Sequence, residues 1–101
     1  MPRIAVDAMG GDLAPETPVA GAVEALNELP DDHQILLVGR RDAIAAQLGK
    51  REVETSHRLT IVDAADQIGM HEKPLTAVRS KPRSSIRVGL ELHKRGDADA
   101  F

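Results

Sequence analysis

Apolar residues come in short runs separated by polar, proline- or glycine-marked breaks. Ile4, Ala5 and Val6 open the chain as a strand apolar on both faces, and it runs into the acidic turn Asp7 to Asp12 with Gly10-Gly11 inside it. Thr17-Pro18 then reads as an N-cap followed by proline in the first helical position. Val19, Ala22, Val23 and Leu26 recur on one face, which predicts a helix from about Pro18 to Glu28. Pro30 and Asp31-Asp32-His33 close it. Gln34 to Val38 is a second strand ending at Gly39. Asp42 starts a short alanine-rich helix with Ile44 and Leu48 on one face, and Gly49 suits the left-handed residue that would stop it. Lys50 to Arg58 is a charged connector, and Leu59 to Val62 a third strand ending at Asp63.

Residues 64–83 hold Pro74 and Pro82 and no steady apolar period, so they read as an irregular loop with short helical turns. In Ser84 to Arg95, Ile86, Val88, Leu90 and Leu92 alternate as in a strand. The boundaries favour a helix: Ser84-Ser85 as cap, Lys94 and Arg95 at the negative end of the dipole, Gly96 as the stop. Ala98 to Phe101 begins a fourth strand. Strand and helix alternate throughout, which predicts an α/β fold with a mostly parallel sheet and helices packed on its faces.

Composition narrows this further. The hydrophobic share is 42%, but 14 of those residues are alanine, and one Phe stands without Trp or Tyr. Little large apolar surface is available for a core, as expected of an incomplete domain that would self-associate or partly unfold by itself. Thirteen basic and 16 acidic residues are interspersed for a net charge of −3, which marks neither a nucleic-acid footprint nor a polybasic membrane anchor. No cysteine is present, so thiol catalysis, disulfides and thiolate metal sites are excluded. No apolar run approaches the ~20 residues of a membrane span, and Met1-Pro2-Arg3 leads into a strand rather than a secretory signal, so a cytoplasmic, unprocessed chain is expected.

Two constellations carry candidate chemistry. At the first turn, Gly10 and Gly11 let a ligand approach main chain, and Asp7 or Asp12, preferably Asp12, could orient a cation or a phosphate-binding lysine. A plain tight turn with a capping aspartate explains the same residues. The second is Arg79, Lys81, Arg83, Ser84 and Ser85, which gathers cations and hydroxyls where a helix begins. Free N–H groups and the positive dipole end there suit an anion such as phosphate. Helix capping beside a solvated basic face is the alternative. No His/Asp/Glu set has metal-ligand spacing, and neither G-x-G-x-x-G nor G-x-x-x-x-G-K occurs, against zinc, dinucleotide binding and nucleotide hydrolysis.

AVDAMGGDLAP, ILLVG, AVRSKPRSSI, VGLEL and GDADAF, in this order and spacing, resemble the bacterial phosphate acyltransferases of phospholipid synthesis. The resemblance covers essentially the whole chain, which corresponds to the N-terminal portion of a family protein about three times longer, a size suited to one large α/β domain. It implies a three-layer α/β/α architecture like that of the isocitrate and isopropylmalate dehydrogenases, with residues 1–101 as the N-terminal part of a single acyltransferase domain. It also implies transfer of a fatty acyl group from acyl carrier protein to inorganic phosphate, giving acyl phosphate, with no cofactor. Acyl carrier protein and phosphate are then the partners, in a homodimer with at most peripheral membrane association.

Ala77, Arg79, Lys81, Ser84 and Ser85 match the family's Ala, Arg, basic residue and paired serines. Gly10, Gly11, Asp12, Arg79, Lys81, Ser84 and Ser85 are therefore expected to bind phosphate or substrate. His71 and Pro82 depart from the pattern, and His71 is read as a solvent-exposed residue without a role. The residues that polarise the thioester are expected downstream. A non-catalytic phosphate-binding or subunit-contact piece of the same fold, and a carrier of another anion such as a dicarboxylate, use the same basic loop.

Overall fold

The computed structural model describes residues 2–11, 13–66 and 79–101. The expected loop around Pro74, with Ala77 and His71, lies largely outside them, as does Asp12. Three strands, β1 (Arg3–Asp7), β2 (Gln34–Gly39) and β3 (Leu59–Asp63), form a parallel sheet in the order β1-β2-β3. Ile4 faces Ile35 and Leu36 faces Thr60 across the two ladders. After the last helix the chain returns to the free side of β1: Ala100 bridges Ile4 in parallel, and Ala5 N–H donates to Ala100 O at 2.9 Å. Where a fourth strand is expected, the described residues form this isolated bridge and no strand. The bridge places β1 between β2 and the terminal segment, with Arg3 tied down by Asp99 Oδ2 and Gly96 O, each at 2.7 Å.

Side-chain alternation along the strands separates two cores. Ile35, Leu37 and Leu59 pack with Val19 and Ala22 of α1 (Glu16–Glu28) and with Ile44 and Leu48 of α2 (Arg41–Lys50). Ala5 and Val38 face the other way, toward Ala64, Ala98 and Leu92 of α3 (Ser85–Arg95). Helices on both faces of a parallel sheet make three layers, as the alternating pattern requires. Leu37, Ile44, Leu59, Val19 and Val38 are the largest apolar side chains fully buried, each worth about 1.5–3 kcal/mol of burial. The second core is made mostly of small residues, so α3 sits close to the sheet. An added Cβ on Gly89 would overlap the Phe101 ring, which lies against the helix backbone there.

Helix boundaries differ from expectation at two places. α1 starts at Glu16, with Pro15 rather than Thr17 at the N-cap, because Thr17 N–H already reaches Leu13 O at 3.1 Å and Val19 N–H reaches Pro15 O at 3.0 Å. Gly49 is helical and does not stop α2; Glu52 takes the left-handed conformation with φ 56°. The cause is Val53, which packs on the first core while its N–H bonds Leu48 O at 3.0 Å, so the reversal falls just before it. α3 behaves as its boundaries imply: Ser84 Oγ accepts from Arg87 N–H at 3.3 Å, and Gly96 closes the helix at φ 81°. The strand-like alternation there is coincidental, since Ser85, Gly89 and Leu92 share the buried face and Leu90 is exposed.

Candidate functional site

In a parallel sheet the helices run opposite to the strands, so the first turns of α1 and α3 both lie at the carboxyl ends of the strands. The chain builds outward from β1 on one side with α1 and α2 on one face, then crosses to the other edge with α3 on the opposite face. The crevice at such a reversal, beyond β1, is where ligands collect in open α/β sheets.

Asp7 ends β1 at this crevice. One of its carboxylate oxygens, Oδ1, accepts Met9 N–H at 2.9 Å and the Ser85 hydroxyl at 2.5 Å, the short distance of a charge-assisted O–H···O⁻ bond. This bond spans 78 positions of sequence and joins the glycine turn to the first residue of α3. Gly10 sits against the same carboxylate: a Cβ there would lie 3.2 Å from Asp7 Oδ2. Gly11 has φ 89° and open space around it, so glycine there is favoured by conformation, whereas at Gly10 a side chain would press on the Asp7 carboxylate. Met9 turns inward over Gly39 at the end of β2, anchoring the turn to the sheet. A cleft of about 340 Å³ opens beside the turn, lined by Gly10, Gly11, Leu13, Thr17 and Pro18.

The basic loop enters α3 by crossing the ends of the strands. Asp66 N–H donates to Arg83 O at 3.1 Å, and Arg83 Nη2 lies 3.6 Å from Asp63 Oδ2 at the end of β3. Asp63 also accepts Arg41 N–H at 3.1 Å, capping the start of α2 as an anionic group can. Lys81 is half-buried and its carbonyl accepts Ser84 N–H at 3.0 Å; Arg79 is exposed. Ser84 and Ser85 are both buried.

Of the residues expected to form a site, Gly10 and Ser85 are brought together through Asp7, with Gly11 and Ser84 adjacent in sequence to each. Arg83, the basic residue nearest the helix in sequence, is directed to Asp63. Asp12 lies outside the described residues, and the aspartate that joins the two segments is Asp7. The available signal was its position as the last residue of the strand, which commits its backbone to the sheet while its side chain reaches into the crevice. Among the described residues no group of three or more His, Cys, Asp or Glu side chains is placed to hold a metal ion, and no helix is long and apolar enough to cross a membrane.

The fold and the crevice define an α/β protein whose glycine turn and helix start meet at the end of a central strand. The chain belongs to the family described as fatty acid synthesis protein, whose model matches residues 2–101. It is 50% identical over 99 residues to a phosphate acyltransferase of Salinibacter ruber, covering 98% of this chain and 29% of that protein. Phosphate acyltransferases of Heliobacterium modesticaldum and Caldanaerobacter subterraneus are 51% and 40% identical over 99 residues, with 98% of this chain and 29% and 28% of those proteins covered. The chain thus spans little more than a quarter of the length of these curated relatives.

Proposed function

We propose that this chain forms the N-terminal part of a single larger α/β phosphate acyltransferase domain, and that its strand-end crevice holds the phosphate nucleophile. The reaction is transfer of a fatty acyl group from the thioester of acyl carrier protein to inorganic phosphate, in phospholipid synthesis. An oxygen of HPO₄²⁻ attacks the thioester carbonyl, the new C–O bond forms, the C–S bond breaks, and the phosphate proton ends on the departing thiol. Phosphate needs no strong base at neutral pH, so the protein's work is to position the dianion and stabilise the oxyanion. A cytoplasmic homodimer built on a dehydrogenase-like three-layer fold belongs to the same proposal.

The observation that carries this is the Asp7–Ser85 bond, which sets a glycine turn beside the amino end of an 11-residue helix, in a chain whose relatives are named phosphate acyltransferases. In this reading the phosphate donors are the N–H groups of Ser85 and Ile86, the main chain at Gly10 and Gly11, and the cations Arg79 and Lys81, since the Ser85 hydroxyl is engaged by Asp7 and Arg87 N–H by Ser84 Oγ; Asp12, next to Gly11 in sequence, belongs to the same proposal.

In the full-length enzyme, Arg79→Ala and Lys81→Ala are expected to raise the KM for phosphate by roughly ten- to a hundredfold, the equivalent of a lost charged hydrogen bond of about 1.5–3 kcal/mol. The KM for the acyl donor stays unchanged. Steady-state kinetics with each substrate varied separately measures both, and an unaltered phosphate dependence in both variants refutes the assignment of these cations.

A further inference from the structure

We propose that Asp7 and Ser85 form a positioning latch, a hydrogen-bonded pair that touches no substrate but holds the Gly10–Gly11 turn and the amino end of α3 together around the phosphate; this rests on the function proposed above. The two segments come from different layers. The glycine turn leads into α1 on one face of the sheet, and α3 packs on the other face, against β1 and β2. Three contacts at the strand end relate them: Ser85 Oγ on Asp7 Oδ1, Met9 N–H on the same oxygen, and Gly10 against Asp7 Oδ2. One carboxylate therefore sets both the position of α3 and the conformation of the turn.

A carboxylate beside a phosphate dianion would repel it, so direct contact between Asp7 and the nucleophile is unfavourable. Met9 N–H and the Ser85 hydroxyl both engage Oδ1, and the Asp7 backbone is held within the β1–β2 ladder, where it pairs with Val38. Ser85 in turn is buried, with its hydroxyl spent on Asp7. What the pair supplies is distance: without it, α3 keeps its cap at Ser84 and its packing through Leu92, but its first turn is no longer pinned to the glycine turn.

The test uses the full-length enzyme and four variants. Asp7→Asn keeps an oxygen that accepts from Met9 and Ser85 but removes the charge, and is expected to hold the phosphate KM within about threefold of the parent. Ser85→Ala and Asp7→Ala break the latch and are expected to raise the phosphate KM about tenfold or more, with a smaller change in kcat and an unchanged acyl-donor KM. The double variant Asp7→Ala/Ser85→Ala is expected to be no worse than the poorer single one, since both remove one interaction. Ser85→Ala deletes one hydroxyl and leaves Asp7 on Met9, so it serves as the folded variant should Asp7→Ala not accumulate. An Asp7→Asn enzyme that loses kcat as severely as Asp7→Ala overturns the latch in favour of a charged role in the reaction. A Ser85→Ala enzyme with parental phosphate KM, while Arg79→Ala and Lys81→Ala still raise it, overturns the latch and leaves the phosphate site standing. No phosphate effect in any of these variants removes the phosphate site itself, and the latch with it.

Discussion

Arg58 closes a connector that looks merely charged in sequence, and its removal is the sharpest stability test the fold offers. Its guanidinium donates from Nε to His33 O at 3.1 Å and from Nη2 to Pro30 O at 3.0 Å and, more weakly, to Leu26 O at 3.4 Å. It thereby ties the amino end of β3 to the last turn of α1 and to the entry of β2. An ion pair is also present, Nη1 to Asp31 Oδ1 at 3.9 Å, but the Asp31 side chain is fully exposed and the Arg58 side chain only 21% exposed. An exposed pair at that distance contributes close to nothing, so the carbonyl bonds decide the outcome. Two good bonds from a charged donor to partly solvated carbonyls are worth about 1 kcal/mol each, which sets the loss for Arg58→Ala near ~2 kcal/mol. Arg58→Lys should recover less than half of it, because an ammonium cannot span the fork from Nε to Nη2. Asp31→Ala should change stability by less than ~0.5 kcal/mol. Equilibrium urea unfolding of the protein carrying this chain, comparing midpoints at constant slope, measures all three. An Asp31→Ala loss as large as that of Arg58→Ala would refute the carbonyl clip, as would an Arg58→Ala protein of parental stability.

Gly11→Ala should lose about 1–2 kcal/mol from its left-handed backbone alone, since nothing surrounds the position, and Gly11→Asn should recover part of it; equal melting curves for Ala and Asn would contradict this. Gly39→Ala places a methyl 2.7 Å from Met9 Cγ and 3.2 Å from Ile44 Cδ1, an overpacking cost of about 1–3 kcal/mol. Because the nearest atom belongs to a flexible side chain, Gly39→Ala with Met9→Ala should lose less than the sum of the two, and strict additivity in a double-mutant cycle would argue against that contact. The hydrogen bond from His33 Nδ1 at 2.9 Å holds the Asp32 carboxyl below its ordinary value of 3.8. A lowered folded value means the bond's contribution is present above pH 3.8 and is lost as pH falls through the lowered value. NMR titration should find Asp32 moved back toward 3.8 in His33→Ala, and an unmoved titration would remove His33 as the cause.

The chain by itself determined what depends on near neighbours. The three strands and the cap and stop of α3 were legible because a period of two, a serine before a helix and a glycine after it act within a few residues. The glycine turn and the serine pair were legible as candidate chemistry for the same reason, and so was the family pattern that contains them. Tertiary structure decided whatever requires two distant segments to meet. Gly49 looked like the stop of α2, yet Val53 packing on the core moved the left-handed residue to Glu52. Thr17 looked like a cap, yet the preceding turn had already begun the helix at Glu16. Arg58 finds its carbonyls 25 to 32 residues away, and Asp7 meets Ser85 across 78. Such pairings leave no local trace, because a side chain's donors and acceptors are the same whichever partner the packing of sheet and helices brings to them.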